Sequence, residues 1–167
     1  MQLLMPPATH FLSAAQGWLE LGNISEALAE LDQIEDALQN HPHVLEMRWA
    51  VLAQAGDWPA ALEIARLLSQ ISPDSQAAWL HHAYALRRVP EGGLEPARKT
   101  LLQAAKKFPL ASTVAYNLAC YACQLGDLDE ARNHFERALK IGDPRHIRKI
   151  ALEDSDLQPL WAEIRNT

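Results

Sequence analysis

Too few cysteines, too few β-formers and no long apolar run: these shortages exclude several classes of protein at once. Cys120 and Cys123 are the only cysteines in 167 residues, so no disulfide framework staples a small secreted fold. No stretch approaches the roughly 18 consecutive apolar residues that span a bilayer. The opening MQLLMPPATHF has neither the basic region nor the apolar run of a secretory signal, and the expected location is therefore cytoplasmic. Valine, isoleucine, phenylalanine and tyrosine are sparse beside alanine and leucine, which favours helix throughout and predicts no strands.

The chemistry of enzymes is scarce too. There is no Gly-rich phosphate loop, serine elbow or convergent carboxylate pair, so the chain reads as a non-enzyme that needs no cofactor. His41 and His43 flank Pro42, and His81 adjoins His82; neither pair has the i, i+4 spacing that would project two metal ligands from one helix face. CYAC at 120–123 has the spacing of a redox or zinc pair, but it lies inside a predicted helix with no second pair to complete a site. Both cysteines are expected to be small packing residues. Basic residues are mostly interspersed with acids or apolar residues and lack an aromatic platform, which argues against nucleic acid. The net charge of -6 is unevenly spread. Residues 1–83 carry ten acids and two bases, residues 84–167 eleven acids and thirteen bases, a charge dipole whose acidic half could attract a basic peptide or the basic end of another copy.

What is present is a pattern. In residues 113–144, Leu118, Ala119 and Ala122 lie at helical spacing, Gly126 and Asp127 interrupt, and Ala131, Phe135 and Ala138 resume before Asp143 and Pro144. Two antiparallel helices follow: Gly126 takes the left-handed conformation that closes the first, and Asp127 with Glu130 forms a capping box for the second. A lone pair of such helices cannot bury its apolar face and needs stacked neighbours.

Leu118-Ala119, Gly126, Ala131, Phe135, Ala138 and Pro144 resemble the tetratricopeptide repeat, a helix-turn-helix unit of about 34 residues. Pro144 comes one place late, and Ala122 stands where a tyrosine is common. The resemblance implies an all-α right-handed α-α superhelix of stacked repeats. Laid along the chain, it divides one domain, 1–167, into repeats at about 8–41, 42–75, 76–111 and 112–145, with a capping segment at 146–167. In the first repeat, Gly22 ends a helix, Asn23 with Glu26 caps the next, and that second helix is expected to run about three residues long before Pro42. Ser72 before Pro73 reads as the cap of the third pair. Its connection VPEGGLEP is longer than the family turn, which predicts a protruding, flexible loop at 89–96, with Pro96 starting the returning helix. The tail, with Asp154 and Asp156 before Leu157 and Leu160, looks like the closing segment of many bacterial tetratricopeptide proteins, with Trp161 its largest plug.

In that family the first helices of successive repeats line a groove that binds protein segments. The family's phase points Ser13, Gln16 and Glu20 inward from the first repeat, Glu46, Met47, Ala50 and Gln54 from the second, His81, Tyr84 and Arg88 from the third, and Tyr116, Asn117, Cys120 and Gln124 from the fourth. The resemblance thus implies a peptide-binding scaffold or adaptor with a protein partner, no nucleic acid and no membrane. The alternatives are a secretion-type chaperone holding an extended client segment, or a self-assembling subunit. A clamp for the acidic C-terminus of a heat-shock chaperone is excluded: Asn117 matches one clamp position, but Leu12 and Gln16 stand where its cations are required.

Overall fold

Each helix boundary traces to a side chain or a glycine that can end or begin one. The computed structural model describes residues 3–166; among them are ten α-helices, two short 3-10 helices and no strand. They form two compact units, one ending at Ala85 and one beginning at Leu86.

The N-terminal unit holds α1 (Ala8–Glu20), α2 (Ile24–Asp32), α3 (Pro42–Ala55), α4 (Trp58–Ile71) and nearly all of α5 (Gln76–Leu86). Gly22 and Gly56 close α1 and α3 at positive φ, where a Cβ would be strained. Asn23 accepts from the Glu26 amide at the start of α2, and Asp57 accepts from the Ala60 amide at the start of α4. Ala15, Ala27 and Ala61 are fully buried, so the paired backbones meet at alanine distance, with Leu31, Val44, Val51 and Leu68 filling the space around them.

Two boundaries of this unit differ from the sequence expectation. α2 does not run long: it stops at Asp32, and the chain continues through a 3-10 turn, Asp36–Leu38. Gln39 explains the stop, since its Nε2 donates to the carbonyls of both Leu31 and Ile34 at the helix end. Ser72 is the C-cap of α4 rather than the start of α5; Pro73 and Asp74 turn the chain, and the Ser75 hydroxyl receives the Ala78 amide.

The C-terminal unit holds α6 (Leu94–Lys107), α7 (Ser112–Gln124), α8 (Leu128–Ile141), α9 (Pro144–Ala151), a 3-10 segment (Ser155–Leu160) and α10 (Trp161–Arg165). The loop before α6 does not protrude freely. The Gly93 and Gly92 amides bond back to Leu86 and Val89 carbonyls, and Val89 is buried. A Cβ on Gly92 would lie 1.9 Å from the Leu86 carbonyl oxygen, so glycine is required by close approach rather than for flexibility. α6 begins at Leu94, two residues before Pro96.

Gly126 has φ +82° and Asp127 accepts from the Glu130 amide, so the turn between α7 and α8 is as expected. The reciprocal half of the capping box is not formed, because Glu130 pairs with Arg98 and lies 3.3 Å from His134 Nε2. In the tail, Leu157, Leu160 and Ile164 are the buried plugs. Trp161 is only half-buried, its indole N–H donating to the Ala151 carbonyl at 2.8 Å.

Candidate functional site

Five of the seven residues expected to face inward from the first two repeats come together on α1 and α3. Ser13, Gln16, Glu46, Met47 and Ala50, joined by Leu12 and His43, line an open groove of about 520 Å³. Spacing explains it: on α1, positions 12, 13 and 16, and on α3, positions 43, 46, 47 and 50, each fall within one stripe of a helix. The floor is apolar through Leu12, Met47 and Ala50. Glu20 accepts a 3.1 Å bond from Gln16 on the same helix face, and the Gln54 amide donates to the Leu19 carbonyl at 3.0 Å, tying the end of α3 to the end of α1. Gln54 is thus a strut between helices. Glu46 is half-buried and, among the described residues, has no hydrogen-bonding or ion-pairing partner.

The charge of this unit is strongly one-sided. Through Ala85 it holds ten acids and two bases. Both bases are committed to their own acids: Arg48 bonds Asp32 and Gln39 at 2.9 Å, and Arg66 bonds Glu63 at 2.6 Å.

His81 and Tyr84 belong to an aromatic group whose other members sequence reasoning did not single out for binding. The His81 ring stacks on Trp49 with centroids 3.8 Å apart, and Tyr84 meets Trp49 and Trp58 edge-on at 6.2 and 5.8 Å. Burial pushes the His81 imidazole down to about 4, so it is neutral at physiological pH. Tyr84 is 38% exposed and presents the group's open edge. The signal the sequence lacks is the stacking of His81 on Trp49, which only the placement of α5 supplies.

In the C-terminal unit the expected face is covered. The Tyr116 hydroxyl donates to Asp154 at 2.9 Å, the Cys120 thiol lies 3.5 Å from the same carboxylate oxygen, and the Gln124 amide donates to the Asp156 carbonyl at 3.2 Å. Asp156 is in turn held by Arg87 at 2.6 Å, whose guanidinium lies 5.0 Å from the Tyr121 ring centroid. Arg88 is half-buried beside it in sequence, and the Asn117 amide bonds Thr113 on its own helix. Every residue from Leu118 to Cys123 is buried, because α7 has neighbours on all sides, the tail supplying the last. Burial, reinforced by the Asp154 charge, raises the Cys120 thiol far above its ordinary range, and burial raises Cys123 as well. Neither cysteine is a reactive thiolate. The tail's acids, read in the sequence as turn residues, are the ligands of this face.

Among the described residues, no three His, Cys, Asp or Glu side chains converge to hold a metal, and no helix is long and apolar enough to cross a membrane.

A family model for the tetratricopeptide repeat matches residues 112–143. The chain is similar to tetratricopeptide repeat protein 36 of Bos taurus, 30% identical over 139 residues that make up 80% of this chain and 73% of the bovine protein. Among solved structures, a thermophilic TPR protein of Thermus thermophilus superposes with a TM-score of 0.71 at 21% identity, covering 94% of this chain and 82% of that one. MamA 41-end from Desulfovibrio magneticus RS-1 gives 0.69 at 17% identity, over 80% and 75%. YrrB, described as a TPR protein with an unusual peptide-binding site, gives 0.66 at 16% identity, over 89% and 75%. With buried alanines at each close helix contact, glycine-aspartate turns and this likeness to the bovine protein, the chain belongs to the tetratricopeptide repeat family.

Proposed function

We propose that this chain is a protein-interaction scaffold of the cytoplasm that holds an extended segment of a partner on the inner face of α1 and α3. One observation carries the reading: the 520 Å³ groove is lined by the side chains that the family's phase turns inward, while the matching face of α7 is already filled by the chain's own tail. Gln16, Glu20, Glu46 and Met47 would contact the segment, Gln54 would hold the two helices in register, and His81 and Tyr84 would extend the surface as an aromatic edge. Of the remaining inward residues, Tyr116 and Gln124 hold the tail, and Arg88 and Asn117 take secondary parts. The extended-segment mode suits a helix-lined groove with mixed apolar and amide chemistry better than a small metabolite does.

Photo-crosslinking tests this. Benzoylphenylalanine placed at Ala50 should trap a partner in source lysate, and the same group at the exposed Gln103 of α6 should not. Equal adducts at both positions, or none at Ala50, overturn the proposal. A single secreted client among the adducts would assign the chaperone role, and a second copy of this chain the self-assembling one.

A further inference from the structure

The groove on α1 and α3 has a charge character that selects its occupant. Its one half-buried carboxylate, Glu46, has no partner among the described residues, and Glu20 stands on the same α1 face as Gln16. No lysine or arginine lines the groove, and the two arginines of the unit are paired with Asp32 and Glu63. Eight acids of the unit are therefore left unbalanced by any base of its own.

The C-terminal unit supplies the contrast. Where this chain receives an acidic segment, Asp154 to Asp156, it provides Arg87, a tyrosine hydroxyl and a glutamine amide to receive it. The α1 and α3 groove offers the Gln16 amide and an apolar floor but the opposite charge, so an acidic segment would be repelled there.

We infer that the partner segment held by α1 and α3 is a basic extended peptide, with an arginine or lysine stem over Leu12, Met47 and Ala50 and its cation at Glu46. Long basic side chains suit such a floor, since they lay apolar methylenes on apolar surface while the charged head reaches the carboxylate. Gln16 and Ser13 remain to meet the peptide backbone. The inference rests on the reading of this face as the binding surface.

Three labelled ten-residue peptides of alternating alanine and glycine, carrying three arginines, three glutamines or three glutamates, would be titrated into the full chain by fluorescence anisotropy. The arginine peptide should bind about tenfold or more tightly than the glutamine peptide, weaken as salt rises, and lose about tenfold on Glu46→Lys. Glu46→Gln should lose about threefold, which keeps the test intact if the lysine variant fails to fold. Glu63→Lys, on the exposed side of α4, should change binding less than threefold. Equal binding of the glutamine peptide, tighter binding of the glutamate peptide, or no binding of the arginine peptide at millimolar concentration each overturns the basic-partner inference. If crosslinks at Ala50 persist in that case, the scaffold reading stands without it.

Discussion

Leu157→Ala should expose a thiol that the native fold hides. Leu157 is fully buried in the 3-10 segment that lies across Tyr116, Cys120 and Gln124, so the segment and the thiol's cover are the same object. Truncating a buried leucine to alanine costs about 2–5 kcal/mol, set by how far the cavity collapses. At about 3 kcal/mol, with about 1.4 kcal/mol for each factor of ten, the population with the tail lifted rises on the order of 150-fold. The Cys120 residue is 3% exposed and reacts only from that open population. A Cys123→Ala background isolates it, and labelling by an aromatic disulfide reagent under native conditions reads the opening directly. Ser155→Ala, at an exposed residue of the same segment, serves as the control and should label at the parent rate. If Leu157→Ala labels within about threefold of the parent, less than 1 kcal/mol of opening has been released and the tail is not what protects α7.

The Arg87–Asp156 pair, with both side chains mostly shielded from water, should show a coupling of about 1–2 kcal/mol in a double-mutant cycle to alanine read by urea unfolding; a coupling near zero would mean the tail is held by its leucines alone. Gly92→Ala should destabilise the C-terminal unit by about 2 kcal/mol or more, since its Cβ meets a backbone carbonyl that cannot step aside; unchanged thermal unfolding would contradict the tight return of that loop. His81 is held neutral by burial, with its pKa lowered from 6.5 to about 4. The unfolded chain therefore takes a proton that the native one refuses, so stability is full above pH 6.5 and falls as pH drops toward 4. After allowance for partial solvent exposure, the loss should be about 2 kcal/mol, and His81→Gln should remove it from the difference between denaturation midpoints at pH 7 and pH 4.

The repeat pattern could be read because it is local. Gly22, Gly56 and Gly126 adopt positive φ at the turns into α2, α4 and α8, each before a capping Asn or Asp, and Ala27, Ala61, Ala97 and Ala131 are fully buried where close contact demands a methyl group. The structure departs from that pattern where a side chain replaces a backbone bond. Gln39 ends α2 from seven residues beyond its last residue, and Ser75 takes the role assigned to Ser72. Gln16, Glu46 and Met47, which the family's phase points inward, line one groove on two neighbouring helices. The family's phase points Tyr116 and Gln124 into the groove, but their engagement by Asp154 and Asp156 depends on a chain reversal more than thirty residues away, which no local pattern encodes.

Gln39 also bears on any attempt to rebuild this protein. A single amide closes the carbonyls of Leu31 in α2 and of Ile34 just past it, while its oxygen steadies Arg48, which in turn holds Asp32. The joint between the first two hairpins is thus soldered by one side chain rather than by a standard spacer. An engineer who swapped the first hairpin for an idealised repeat, or who trimmed its eccentric spacing to the common length, would discard that solder and would have to redesign the entry into α3 with it.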